Sequence, residues 1–264
     1  MKIGFIGGGN MGGALASKLA TSHGAELYIS DKDGEKLSEL CKSLGAKASE
    51  NLSIAETCEL IFLAVKPNII PSVLEEIRET LGKRDDATLV SMAAGVSIKR
   101  IEEILGSTMP IIRIMPNTPV SVGRGVILAA MNTLVSKECA DNFTRLMRCA
   151  GICDIIDESL IDAGTAVSGC GPAFAYMFIE AMAKGGASAG LSADAALTYA
   201  AETVLGAAKL LIESEREPSE LIRAVCSPGG STIEGVNKLS ELGLYETVGA
   251  AVCASFEKTK LLGK

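Results

Sequence analysis

Several of the residues that could do chemistry here lack reactive side chains. Gly7, Gly9 and Gly12 form a G-x-G-x-x-G run that follows the apolar segment Ile3-Gly4-Phe5-Ile6 and opens a helical pattern. A dinucleotide-binding turn requires that context. Gly7 permits the tight turn, Gly9 lets backbone approach a pyrophosphate, and Gly12 lets the helix pack close to the strand. The helix start at Asn10 and Met11 then offers free N–H groups and the positive dipole end to the anion. A glycine-rich turn without a ligand is the alternative. Asp31 lies near the offset from Gly7 at which a second strand ends beside the adenosine ribose. A carboxylate there bonds ribose hydroxyls and repels a 2′-phosphate, which leans the reading slightly to NADH. Lys32 and Lys36 beside it would attract that phosphate, so NADPH stays open, as does Asp31 acting only as a helix cap.

A second run, Ser227-Pro228-Gly229-Gly230-Ser231-Thr232, reads as a loop opening a helix. Its consecutive N–H groups can close around an anion at the positive end of the helix. The plainer reading is a Pro-Gly turn followed by a cap made by Ser231 or Thr232. Ala64-Val65-Lys66-Pro67 closes an apolar strand, and ligands of open α/β sheets bind at strand carboxyl ends. Lys66 is placed to bond a ribose or add to the field at the phosphates, or is an ordinary surface lysine. Met92-Ala93-Ala94 ends the next strand with small side chains that leave room for a nicotinamide. Asn117, between Pro116 and Pro119, reads as part of a rigid architectural turn. The one histidine, His23, follows the first helix and reads as a surface residue rather than a catalyst. One histidine and eight cysteines without a CxxC pair allow no zinc site of familiar spacing, and no metal is expected. The cysteines read as buried or half-buried thiols in a reducing cytoplasm rather than as disulfides.

The elements that must position these groups follow from hydrophobic rhythm. Strands are expected at Lys2–Ile6, Glu26–Ser30, Leu60–Val65, Thr88–Met92, Ile111–Ile114, Gly125–Ala129 and Ile152–Ile156, alternating with helices near 11–22, 33–44, 70–81, 97–105 and 136–149. Nearly continuous apolar runs are the mark of a parallel sheet covered on both faces. After Glu158 only helical patterns remain, near 160–167, 172–189, 192–214, 218–226, 231–241 and 244–262. The expected architecture is α/β: a Rossmann-type dinucleotide-binding domain over 1–157, then an all-α domain over 158–264. Its helices are rich in Ala and Gly and poor in large side chains, so a homodimer through this half, or a higher assembly, is expected. The net charge of −7, without a basic run, argues against nucleic acid and anionic membrane surfaces. No apolar run reaches the length of a membrane span, and no signal peptide is evident.

Five further motifs occur in order: Leu63-Ala64-Val65-Lys66-Pro67, Met92-Ala93-Ala94-Gly95-Val96, Arg113-Ile114-Met115-Pro116-Asn117-Thr118-Pro119, Ser168-Gly169-Cys170-Gly171-Pro172-Ala173 and Ser227-Pro228-Gly229-Gly230-Ser231-Thr232. Together, across essentially the whole chain, they resemble pyrroline-5-carboxylate reductase, the enzyme of the last step of proline biosynthesis. The resemblance implies hydride transfer from NADH or NADPH to the C=N carbon of pyrroline-5-carboxylate, giving L-proline. It implies substrate contacts at Gly229, Gly230, Ser231 and Thr232, with the Thr232 hydroxyl bonding the imine nitrogen and relaying its proton. It also implies a cofactor contact at Asn51 and a carboxylate near the substrate amine at Glu158, although a solvated acid at a helix start is as simple a reading of Glu158. Where the family often carries Asn-Arg or Ser for a 2′-phosphate, this chain carries Asp31-Lys32. A protonated imine is already an electrophile and becomes a neutral amine, so it needs positioning more than a strong acid, and a scarcity of histidine fits. Two other readings compete. A β-hydroxyacid dehydrogenase would want a lysine on a central helix, for which Lys184 is the candidate. A dinucleotide-binding regulatory module would bind cofactor without turnover.

Overall fold

The computed structural model describes residues 1–22 and 24–262, so the reading of His23 falls outside it. In chain order the first part comprises β1 (Lys2–Ile6), α1 (Asn10–Leu19), β2 (Glu26–Ser30), α2 (Gly34–Leu44), β3 (Lys47–Ala48), α3 (Asn51–Thr57), β4 (Leu60–Leu63), α4 (Ile70–Leu81), β5 (Thr88–Ser91), α5 (Ile98–Leu105), β6 (Ile111–Pro116), β7 (Gly125–Met131), α6 (Lys137–Met147) and β8 (Gly151–Ile155). The strands form one sheet in the order β3-β2-β1-β4-β5-β6-β7-β8. The chain moves outward from β1 through β2 to β3, then returns to β4 on the other side of β1. That reversal makes the carboxyl ends of β1 and β4 the place where a ligand crevice opens.

Composition explains the layers. Leu60–Leu63 and Thr88–Ser91 are buried at every position, as strands covered on both faces must be. One apolar cluster gathers Ile54, Ile61, Leu74, Ile101 and Ile111, and the other gathers Ile3, Phe5, Leu15, Phe62, Ile112 and Met147. Phe5 and Phe62 stack with centroids 4.5 Å apart in the second. Local signals end the helices where the sequence expects: Asp33 and Ser136 cap α2 and α6, and Gly45 and Gly106 close α2 and α5 in the left-handed conformation.

The structure departs from the sequence reading in four places. The sheet is not all parallel, because β7 pairs antiparallel to β6. Only the short 3-10 segment Thr118–Val122 lies in the β6–β7 connection, too little for the crossover that parallel strands need. β3 and α3 were not expected from sequence. A strand of two exposed residues and a helix of seven carry too little periodicity to register. The first compact unit runs from Met1 to Cys170 and takes in the chain again from Ser255, whereas Gly171–Ala254 form a second. It passes the 157/158 boundary read from sequence because the segment after Glu158 packs on the sheet. Ile161 in α7 (Ile161–Gly164) is fully buried, Gly164 lies against the Leu128 side chain, and Thr165–Gly169 form a π-helical turn. That turn makes the helix continuous from Glu158 to Ser188, so the expectation that no stretch is long enough to span a membrane is corrected. Glu158–Ser188 and Ala193–Ser214 both reach the necessary length and apolarity.

The second part comprises α8 (Gly171–Ser188), α9 (Ala193–Ser214), α10 (Pro218–Val225), α11 (Ser231–Glu241) and α12 (Leu244–Leu262). Small residues let α8 and α9 approach closely: a Cβ on Gly186 would lie 3.4 Å from that of Ala196. Among the described residues, α8, α10 and α11 bury no side chain. Met177 is 68% exposed and Ile212 79%. So much bare apolar surface is characteristic of a face that another chain covers.

Candidate active site

A cavity of about 550 Å³ opens at the carboxyl ends of β1, β2 and β4. Of the residues singled out in the sequence, Gly7, Gly9, Asp31, Lys32, Asn51, Ala64, Val65 and Lys66 line it together. Asn10, Met11 and Gly12 stand behind its rim at the start of α1. Gly7 has φ +108°, and a Cβ there would lie 2.5 Å from the Ala64 carbonyl oxygen. A Cβ on Gly9 would meet no protein atom within 4 Å, so the backbone is bare toward the opening. Gly9 is also the N-cap of α1 and provides no side-chain cap, which leaves first-turn N–H groups for an anion. Gly12 is buried, with an added Cβ only 2.5 Å from the Gly7 carbonyl oxygen and 2.8 Å from Ala64 Cβ. Bare backbone at Gly9 and tight packing at Gly7 and Gly12 are what a bound pyrophosphate requires.

The adenosine end is more connected than sequence spacing suggests. Asp31 Oδ2 accepts from the Gly8 N–H at 2.6 Å and Oδ1 from the Asp33 N–H at 3.0 Å. Asp33, not Asp31, caps α2. Asn51 Oδ1 accepts from the Ser30 hydroxyl at 2.6 Å, and its Nδ2 donates to Glu76 Oε2 at 2.8 Å. Ser30, Ser49, Glu50 and Glu76 also line the cavity and were missed in the sequence. Ser30 could have been found, since it precedes Asp31 at the same strand end. Glu76 could not, since only the packing of α4 brings it there.

Other predicted residues lie outside this cavity. Pro67 borders a separate concavity with Gly95, Val96 and Arg100. Ala93 is buried in the core, Met92 and Ala94 are half-buried, and all three belong to the β5–α5 connection. Asn117 ties three segments: its Oδ1 accepts from the Val126 N–H and its Nδ2 donates to the Ser168 carbonyl, both at 2.8 Å. Glu158 is no solvated helix-start acid. Its Oε1 accepts from the Ile98 N–H at 2.8 Å and from Arg113 Nη1 at 3.0 Å. Burial pushes the thiols of Cys41, Cys58 and Cys153 up, Cys153 to about 11, so at neutral pH these three stay protonated.

In the helical half, Ser231 and Thr232 are the first residues of α11, and the N-cap is Gly230, which has no side chain to cap with. The plain-cap reading of Ser231 or Thr232 therefore does not apply. Gly229 takes φ +70° and the Gly230 N–H bonds the Ser227 carbonyl at 3.0 Å. Among the described residues neither the Ser231 nor the Thr232 hydroxyl has a partner, and both side chains are exposed. Lys184, which a hydroxyacid dehydrogenase would need as its catalyst, pairs at 2.8 Å with Glu180 on an exposed helix face.

A glycine-turn cavity at the switch point of a doubly wound sheet, followed by an all-helical half, defines a nicotinamide-dinucleotide oxidoreductase. Comparison with known proteins narrows the class. A family model described as pyrroline-5-carboxylate reductase dimerisation matches residues 158–262, and one described as NADP oxidoreductase, coenzyme F420-dependent, matches residues 2–95. The pyrroline-5-carboxylate reductase of Escherichia coli (strain K12) is 39% identical over 267 residues, covering 100% of this chain and 98% of that protein. A solved pyrroline-5-carboxylate reductase from Coxiella burnetii has TM-score 0.91 at 32% identity, covering 99% of this chain and 98% of that one. The Plasmodium falciparum pyrroline carboxylate reductase, solved with NADP bound, has TM-score 0.88 at 32% identity over 100% and 98% of the two chains.

The chain belongs to the pyrroline-5-carboxylate reductase family. It is an NAD(P)H-dependent reductase that converts pyrroline-5-carboxylate to proline, and it assembles as a homo-oligomer through its helical half.

Proposed function

We propose that this reductase works with NADH in preference to NADPH, in the reducing cytoplasm, as a homodimer or an assembly of dimers. The preference rests on the charge lining the cavity. Asp31, Glu50 and Glu76 face it against only Lys32 and Lys66, and an added 2′-phosphate meets repulsion that the ribose hydroxyl does not. Gly7, Gly9, Asn10, Met11 and Gly12 carry the pyrophosphate. Asp31, Lys32 and Asn51 read the ribose, and Lys66 adds a cation at its edge. Ala64, Val65 and Pro67 shape the β4 end, and Met92, Ala93 and Ala94 form the nicotinamide wall.

A reduced nicotinamide, when bound, would supply the hydride, with Met92, Ala93 and Ala94 holding it. The chain's own groups position the acceptor. The N–H groups at Gly229, Gly230 and Ser231 surround the substrate carboxylate, and the Thr232 hydroxyl bonds the ring nitrogen. With its nitrogen protonated through the Thr232 hydroxyl, the imine takes the hydride at the C=N carbon, the nitrogen keeps the π pair, and a neutral amine leaves. The eight free cysteines suit a reducing compartment.

Initial rates with pyrroline-5-carboxylate and either cofactor test the preference. NADH is expected to give the higher kcat/KM. Asp31→Asn keeps an acceptor for the Gly8 N–H but removes the charge, and the ratio is expected to move about tenfold toward NADPH. An unchanged ratio would remove Asp31 as the determinant. For the assembly, Ile212→Glu on the bare face of α9 is expected to shift the sedimentation profile from dimer to monomer; an unaltered profile would place the interface elsewhere.

A further inference from the structure

We infer that Glu158 is a positioning residue for the nicotinamide end of the site, acting through the N-terminus of α5 rather than by touching substrate. This rests on the reading of Met92–Ala94 as the nicotinamide wall.

The wall belongs to a short connection anchored at both ends. At its start, the hydroxyl of the fully buried Ser91 accepts from the Ala93 N–H at 3.3 Å. Inside it, Gly95 turns with φ +76° and the Val96 N–H bonds the Ala93 carbonyl at 3.4 Å. At its end, Ser97 caps α5 by accepting from the Arg100 N–H, but the next free donor, the Ile98 N–H, is taken by Glu158 Oε1 at 2.8 Å. A carboxylate from sixty residues away thus completes the cap of this helix.

The carboxylate is itself fixed by a buried cation. Arg113, opposite Ser91 in the β5–β6 register, has a side chain only 6% exposed and gives Nη1 to Glu158 at 3.0 Å and Nη2 to Asp162 at 3.5 Å. Its Nε is buried without a partner among the described residues, so those two carboxylates alone compensate the charge. Strand β6, the segment after Glu158 and the exit of the β5–α5 connection are thereby locked to one another. The arrangement holds the wall at one distance from the strand ends, which is what hydride transfer needs.

Removing Glu158 alone would leave the buried Arg113 charge with only the longer contact to Asp162 and endanger the fold, so the test uses an Arg113→Met background. Glu158→Gln in that background retains an acceptor for Ile98, and Glu158→Ala does not. Binding is read by NADH fluorescence without substrate, and by displacement with ADP-ribose, which lacks the nicotinamide. The Ala variant is expected to bind NADH about tenfold more weakly than the Gln variant, with ADP-ribose affinity within about twofold. Equal NADH affinity in the two variants, or parallel loss of both ligands, overturns the inference. Ala94→Leu separates the underlying reading: it should weaken NADH and spare ADP-ribose. If Ala94→Leu leaves NADH unaffected, the wall assignment fails and the inference with it. If it discriminates while the Gln and Ala variants do not, the inference alone fails.

Discussion

Gly12→Ala is expected to weaken dinucleotide binding by about two orders of magnitude while the protein still folds. The added methyl would sit 2.5 Å from the Gly7 carbonyl oxygen and 2.8 Å from Ala64 Cβ. Neither neighbour is a flexible side-chain end that can swing aside: one is backbone of the phosphate turn, the other the first atom of a side chain at the close of β4. Relief must come from α1 moving away from the turn. Overpacking of this kind costs about 1–3 kcal/mol, and the displacement takes the first-turn N–H groups out of line with the pyrophosphate. A cost at the upper end of that range is about a hundredfold in affinity. Titration with NADH checks this, and a melting curve of the free protein separates it from general destabilisation. Binding within about threefold of the parent would show that helix and strand are not in the close packing described. Gly9→Ala makes a useful contrast, since its Cβ meets no protein atom within 4 Å. The fold should tolerate it, and any loss in binding then reports the ligand's own approach to the backbone.

The second large effect is expected at Thr232. Thr232→Val keeps the shape of the side chain and removes the hydroxyl. If that hydroxyl bonds the imine nitrogen, loss of a hydrogen bond to a charged group should lower kcat about 10- to 100-fold. Cofactor affinity should stay the same, because Thr232 is not among the residues that line the glycine-turn cavity. Thr232→Ser should recover most of the rate. Little stability should be lost, since Gly230 rather than Thr232 stands at the N-cap of α11 and the Thr232 side chain is exposed. Steady-state kinetics of the two variants beside their melting temperatures decide the matter. A Val variant with parental kcat would take the hydroxyl out of the reaction.

Much of this protein is determined by short-range sequence alone. The glycine turn after β1 is legible because steric demands at Gly7 and Gly12 admit no other residue, and those demands act within a dozen positions. Helix limits are legible for the same reason: Asp33, Ser136 and Ser192 cap where they stand, and Gly45, Gly106 and Gly190 stop helices by taking positive φ. The change from alternating β and α patterns to helices alone is written in hydrophobic period.

Tertiary structure decided whatever depends on groups far apart in the chain. Asp31 could be read from sequence as a ribose contact or a cap. Only packing shows it bonded to Gly8 in the phosphate turn, with Glu76 of α4 reaching Asn51 nearby. Glu158 changed most, from a carboxylate beside the substrate amine or a solvated helix-start acid to the shared acceptor of Arg113 and Ile98. The physical reason is common to all three. A carboxylate takes its role from the donors that surround it, and in a doubly wound fold those donors arrive from other strands and helices, outside the reach of any local pattern.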